Sequence, residues 1–467
     1  MNKKIFLFFL PVLISEGSLF AQSESVVSGI WERNTPKSVK MFKVVNGNLS
    51  EVASSALDGE GRFSMRFMPK KEGYYVLGIS SKATDRYVFY LKPGDPLNVR
   101  VMKESYQLEG KENTPENLEM TRWHDFIFPL EDKAVYFMGK NSTYVDFFPL
   151  MEEKLAALKS YKVQKTKNKK FNAAFAEYRD YNLLYTALQF IYSIRSAHPQ
   201  DEDFIDYYRQ IDIPSLSATT KVLNYPDGLR TLVSAYMLHS KLSGISGQEY
   251  AKMMGNPANA LLKNDAGTIK NDTIKGEIAL MFGHSSRTVE GMKEYKSQYA
   301  GFLITEDQKA RWKRIEDSYQ EKAENKKPID FTFPNAEGRD VSLSDFRGKV
   351  VYIDIWATWC GPCKREMPSL KELEEEYKDN KDMVFMGINV DVSKNIQKWK
   401  DFLVKEQLPG VQLFAGDMAG SALSKPYKIT GIPRFMLVGK DGCLIYMDAP
   451  RPSSSEIRAV LNDALKK

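Results

Sequence analysis

Cysteine is scarce in this chain of 467 residues, which has only Cys360, Cys363 and Cys443. That excludes a small scaffold stapled by many bridges, which needs more cysteines, more widely spaced. Histidine is nearly as rare. His124, His198, His239 and His284 all fall mid-chain, with no metal-ligand spacing among them. One remaining thiol beside a cysteine pair falls short of a tetrahedral zinc set, so we expect no metal and no other cofactor. Charge of one sign is lacking too: 66 Lys and Arg face 60 Asp and Glu, a net +6. That balance calls for neither nucleic acid nor an anionic surface. The basic run "YKVQKTKNKK" at 161–170 has no interleaved aromatics beyond its first residue and reads as a solvated helix face. There is no P-loop or dinucleotide fingerprint, and "GHSSR" at 283–287 lacks the second glycine of a nucleophile elbow.

Long apolar runs are also missing, apart from the first residues. Lys3 and Lys4 precede an almost wholly apolar stretch at 5–14, and small residues follow at Ser18 and Ala21. The stretch is too short to span a bilayer. It predicts a signal peptide at 1–21, cleaved after Ala21. The expectation is an exported protein of the periplasm or cell envelope, with no stable membrane insertion once the leader is gone.

The length suggests about three domains. Residues 24–104 alternate with the period of strands, in "SVKMFKVV", "RFSMRFM" and "RYVFYL". Turn signals at Asn46-Gly47-Asn48, Asp58-Gly59-Glu60-Gly61 and Pro93-Gly94-Asp95 separate them. This spacing fits an antiparallel sandwich or barrel, and an antiparallel β-sandwich is the expectation. Over 105–325 the period becomes helical: Phe171, Phe175, Tyr178, Tyr181, Leu184, Leu188 and Ile191 recur every three or four residues. A region of seven to nine helices is expected. Residues 328–467 alternate strand and helix, βαβ then ββα, which predicts an α/β domain. Its last helix is expected to open on a capping box of Ser453 and Glu456.

"IDIWATWCGPCKREMP" at 353–368 carries the chemistry. Zinc, a structural staple and a redox pair all compete for Cys360 and Cys363. A bridge across so short a loop restricts the unfolded chain little. The redox reading explains more. The pair follows a buried strand and opens a helix, with Pro362 in the first turn, where its missing N–H costs nothing. Unpaired amides and the helix dipole then favour a Cys360 thiolate. Cys363, one turn on, would stay a thiol and resolve a mixed disulfide.

"WCGPCK" after "VVYIDIWAT", with "GIPRF" downstream, resembles the thioredoxin superfamily, and the whole approach from "FTFPNAEGRD" resembles its TlpA/ResA-like branch of exported thiol–disulfide oxidoreductases. The likeness covers about 328–467. It implies a thioredoxin-like fold, a cis bond between Ile432 and Pro433 opposite the dithiol, and substrate contacts at Trp359, Ile432 and Pro433. It also implies that Asp354 is a buried carboxylate relaying a proton to or from Cys363, and that Glu366 helps that movement. Trp359 would shield the active thiol. Plainer readings stand beside these: Asp354 as a strand-end carboxylate facing water, Glu366 as a helix-face charge, Pro433 as a trans turn proline. Cys443 reads as a small apolar residue. The implied partners are disulfide-bearing envelope proteins and a membrane-linked thiol donor, with reduction favoured over oxidation. The rival reading is an envelope binding or scaffold protein whose redox domain is auxiliary. The strand-rich N-terminal region resembles an uncharacterised β-domain that precedes thioredoxin-like domains. Its Trp31 and Tyr74 are expected in the core rather than at a partner surface.

Overall fold

The computed structural model describes residues 24–33, 36–135, 141–264, 267–283, 289–324, 330–417, 429 and 431–466. The leader expected at 1–21, His284 and most of the GHSSR motif lie outside the described residues. The chain divides into two compact units, Met1–Ile278 and Ala279–Lys467. The division falls inside the stretch that the sequence presents as one helical region.

The first unit opens with eight strands: β1 (Ser25–Trp31), β2 (Ser38–Val45), β3 (Asn48–Ala56), β4 (Arg62–Phe67), β5 (Gly73–Gly78), β6 (Arg86–Leu91), β7 (Pro96–Val101) and β8 (Tyr106–Leu108). They form two sheets, β4-β1-β7-β8 and β3-β2-β5-β6. The period of two is plain in β4, where Phe63, Met65 and Phe67 are buried and the residues between them exposed. Asn46 and Gly47 both have positive φ, 50° and 76°, as the tight hairpin between β2 and β3 requires. One apolar cluster takes residues from both sheets, among them Val27, Met41, Phe63, Leu77, Phe89 and Val99. Trp31 and Tyr74 are buried.

The structure corrects the antiparallel expectation at one pair. β1 runs parallel to β7, with Gly29 opposite Val99. Parallel neighbours need a crossover, and here the chain makes it by building the other sheet in between. The strands also continue to Leu108, past the change of period at 104.

Between 115 and 324 the described residues form eight helices of nine residues or more. The helix Lys169–Tyr192 buries the predicted stripe of Phe171, Phe175, Tyr178, Tyr181, Leu184 and Leu188. Asn168 caps it by accepting from the Phe171 N–H at 3.0 Å. Tyr178 stacks on Tyr74 with ring centroids 4.8 Å apart, which joins this helix to the sheet bearing β5. Among the described residues, no helix is long and apolar enough to cross a membrane.

In the second unit a short hairpin, β9 (Thr332–Pro334) and β10 (Asp340–Ser342), precedes a five-stranded sheet. Its strands are β11 (Val350–Trp356), β12 (Met383–Asn389), β13 (Val411–Phe414), β14 (Arg434–Val438) and β15 (Leu444–Tyr446), in the order β13-β12-β11-β14-β15. β11 is parallel to β12 and antiparallel to β14. All seven β11 residues are buried, as a central strand covered on both faces demands. One face packs Val350 and Tyr352 against Leu373, Ile457 and Leu461, from the helices Gly361–Tyr377 and Ile457–Lys466. The other packs Val351, Ile353 and Ile355 with Trp399 of the helix Ile396–Glu406. β13 belongs to the longer segment between Cys363 and Pro433, part of which lies outside the described residues. The expected capping box is not formed. The last helix starts at Ile457, and the Ser453 N–H donates instead to Glu366.

Candidate active site

β11 ends at Trp356, and four residues later Cys360 becomes the N-cap of the seventeen-residue helix Gly361–Tyr377. The Cys360 sulfur accepts a hydrogen bond from the Cys363 N–H at 3.1 Å. Pro362 sits in the first turn and leaves no donor wasted. The sulfur therefore occupies the position where orphan amides and the helix dipole stabilise negative charge. Cys360 and Cys363 are bonded to each other, S–S 2.03 Å. Both are buried, Cys360 at 3 % exposure and Cys363 at 1 %.

Trp359 projects beside them and is 60 % exposed. Its side chain is available to an incoming client. Ile429 and Ile432 share one apolar cluster with Cys360, Cys363, Trp356 and Met367. The Ile432–Pro433 bond is cis. Arg434, the next residue, is paired with Ile355 across β14 and β11, which sets Ile432 and Pro433 at the dithiol end of the sheet.

Asp354 lies on β11 two residues before its end and is buried. Its Oδ1 has no hydrogen-bond partner among the described residues. Burial pushes its carboxyl up to about 8, and the negative charges of Glu366 and Glu374 add to the rise. Asp354 is thus not a carboxylate facing water. Glu366 is also buried, on the dithiol helix. Its Oε2 accepts from the Ser453 N–H at 3.1 Å, and Arg451 lies 3.8 Å from Oε1. It is not a solvated helix-face charge.

Two groups escaped the sequence reading. Asp391 is fully buried just past β12 and gathers the approach to the dithiol. It accepts from the Thr358 N–H at 2.9 Å, the Thr358 hydroxyl at 3.2 Å and Asn389 Nδ2 at 3.0 Å. Its signal in the sequence is slight, a carboxylate just after an apolar strand. Glu374, on the dithiol helix, is pushed up to about 7 by burial, against the lowering effect of Lys371. It sits in the polar run "KELEEEY", where nothing marks it out from its neighbours. Cys443 is buried just before β15 and takes no part in the disulfide.

A thiol at a helix mouth, a second one turn inside, a carboxyl with a raised pKa on the adjoining strand and an apolar rim can together carry out thiol–disulfide exchange. Residues 322–461 match the Redoxin family. The chain is 33 % identical over 132 residues to the thiol-disulfide oxidoreductase ResA of Bacillus cereus, covering 27 % of this chain and 71 % of that protein. It is 41 % identical over 75 residues to the thioredoxin-like protein YneN of Bacillus subtilis, 16 % of this chain and 43 % of that one. A solved thiol-disulfide oxidoreductase from Bacteroides fragilis is 27 % identical, with 30 % of this chain and 98 % of that chain covered and a TM-score of 0.26. Through its C-terminal region the chain belongs to the ResA/TlpA-like thiol–disulfide oxidoreductases of the thioredoxin superfamily.

Proposed function

We propose that this protein is an exported thiol–disulfide reductase that acts on disulfide-bearing proteins of the cell envelope. The observation that carries the reading is the Cys360 sulfur at the helix N-cap, accepting from the Cys363 N–H. In the reduced protein the Cys360 thiolate attacks one sulfur of a client disulfide. The client S–S bond breaks, a mixed disulfide forms, and the other client sulfur leaves as a thiolate and takes up a proton. Cys363 then gives its proton to Asp354 and attacks the Cys360 sulfur. The second client thiolate departs, and Cys360 and Cys363 are left bonded to each other. Two electrons and two protons from a membrane-linked dithiol donor restore the starting state. Trp359, Ile432 and Pro433 would receive the client at the apolar rim. The leader at 1–21 supports export, and the shared core of the two N-terminal sheets supports a sandwich. The Gly361-Pro362 dipeptide and Ile432 before Pro433 support the reducing direction.

Insulin reduction by the wild type and by Cys360→Ser tests the activity. Turnover in the wild type and none in the variant is expected. Equal, negligible rates would favour an envelope binding protein. The dithiol potential against glutathione tests the direction. A value near about −120 mV, that of the strong oxidant on this fold, would overturn the reductase reading.

A further inference from the structure

Three buried oxygens near the β11–β12–β13 side of the sheet have no hydrogen-bond partner among the described residues: Asp354 Oδ1, Glu374 Oε2 and Gln412 Oε1. Their positions in the fold bring them together. Asp354 on β11 is in register with Gly387 on β12, and Gly387 is in register with Gln412 on β13. Parallel partners in register project to the same face of a sheet. Gly387 has no side chain, and Gln412 fills the space, since a Cβ on Gly387 would collide with Gln412 Oε1. Gln412 Nε2 donates to the Pro409 carbonyl at 2.7 Å, which turns Oε1 over the glycine. Glu374 comes down on the same face from the dithiol helix, whose Leu373 packs with Tyr352 and Phe385 of that face. Its other oxygen, Oε1, lies 3.1 Å from where a Cβ of Gly410 would sit, two residues before Gln412.

All three orphan atoms are acceptors, and buried acceptors without donors are costly. A proton on either carboxyl supplies the missing donor. Asp354 is buried, whereas Glu374 and Gln412 are only half-buried, towards the sheet edge formed by β13. The groups that face this row are Glu366, Lys371 and Glu374 on the dithiol helix and Asp354 on the sheet.

We propose that Glu374, held in line by Gln412, is a positioning residue that passes protons between Asp354 and solvent across Gly387, away from the client-binding mouth. This rests on the exchange reaction above. When Cys363 attacks, its proton moves to the Asp354 carboxylate. The Asp354 carboxyl then hands a proton to the Glu374 carboxylate, which releases it to water. That returns Asp354 to the ionised fraction that accepts the next proton, a fraction that grows as pH rises toward its raised pKa, and the bound client need not leave to let the proton out. Burial raises the pKa of both carboxyls, so each can hold the proton in turn.

The test uses the full chain. The mixed disulfide of Cys360 with an aromatic thiol is formed, and its release by Cys363 is followed against pH in the wild type and in Glu374→Gln. The variant is expected to release the thiol about tenfold more slowly near neutrality and to shift the inflection down by about one pH unit. Cys360 alkylation should be unchanged, which guards against a folding defect. Coinciding rates and pH profiles would overturn the proposal. A wild type that never releases the thiol would instead overturn the exchange reaction itself. Carbon-13 NMR of the wild-type carboxyls provides a second readout: Asp354 and Glu374 should each show two coupled inflections. An independent, single inflection of Glu374 in the ordinary carboxylate range would also overturn it.

Discussion

Asp391 grips Thr358 with both carboxylate oxygens, Oδ2 on the backbone N–H at 2.9 Å and Oδ1 on the hydroxyl at 3.2 Å. Thr358 stands two residues before Cys360, so the height at which the nucleophile meets its helix is set from the neighbouring strand's end. Asp391→Ala should leave those donors and the Asn389 amide buried and unpaired. We expect a loss of about 2–4 kcal/mol in denaturant unfolding of the C-terminal region. Cys360 alkylation should slow as well, because the sulfur loses its place over the helix amides. Unchanged stability and reactivity would remove Asp391 from the site.

Asp354 ties stability to pH. Its folded-state pKa is raised from the ordinary 3.8 to about 8 by burial. The folded protein keeps a proton that the unfolded chain has lost between those values. Its stabilising effect is complete below the unfolded value and is lost as pH rises through the folded one. Between pH 4 and 8 the wild type should therefore lose stability, and Asp354→Asn should flatten that slope. At pH 8 the variant should be the more stable by about 2–5 kcal/mol. It should also resolve mixed disulfides more slowly, having lost the proton acceptor. Urea unfolding across this range, with the variant alongside, gives the comparison.

Removing the resolving thiol should trap clients. Cys363→Ala keeps the nucleophile at the helix N-cap and cannot complete the exchange. Expressed from residue 1, it should accumulate covalent adducts that disappear on reduction and are absent in the Cys360→Ser, Cys363→Ala double variant. Adducts in equal amounts in the double variant would mean that the captured proteins do not pass through Cys360.

The sequence was most legible where side-chain chemistry and element boundaries coincide. The apolar run of β11, the turn at Gly361-Pro362 and the helix after it place the dithiol without coordinates. Asp354 and the cis Ile432–Pro433 bond came from the resemblance rather than from local pattern. Pattern failed where a partner is distant. The run "KELEEEY" looks uniformly solvated, yet Glu374 within it is half-buried, with its Oε1 turned toward Gly410, thirty-six residues away. Ser453 has the spacing of a capping box, but its N–H is taken by Glu366, eighty-seven residues away. The parallel pairing of β1 with β7 was likewise hidden, because strand alternation records which face is buried and not which neighbour is chosen.

The proposed exchange depends on the acidity of one sulfur. Titrating the rate of Cys360 alkylation in the reduced full-length protein measures it directly. A thiolate with a pKa near about 7, reacting well ahead of Cys443 at neutral pH, is the predicted result. A Cys360 that titrates near about 8.5, like an unperturbed thiol, would contradict it.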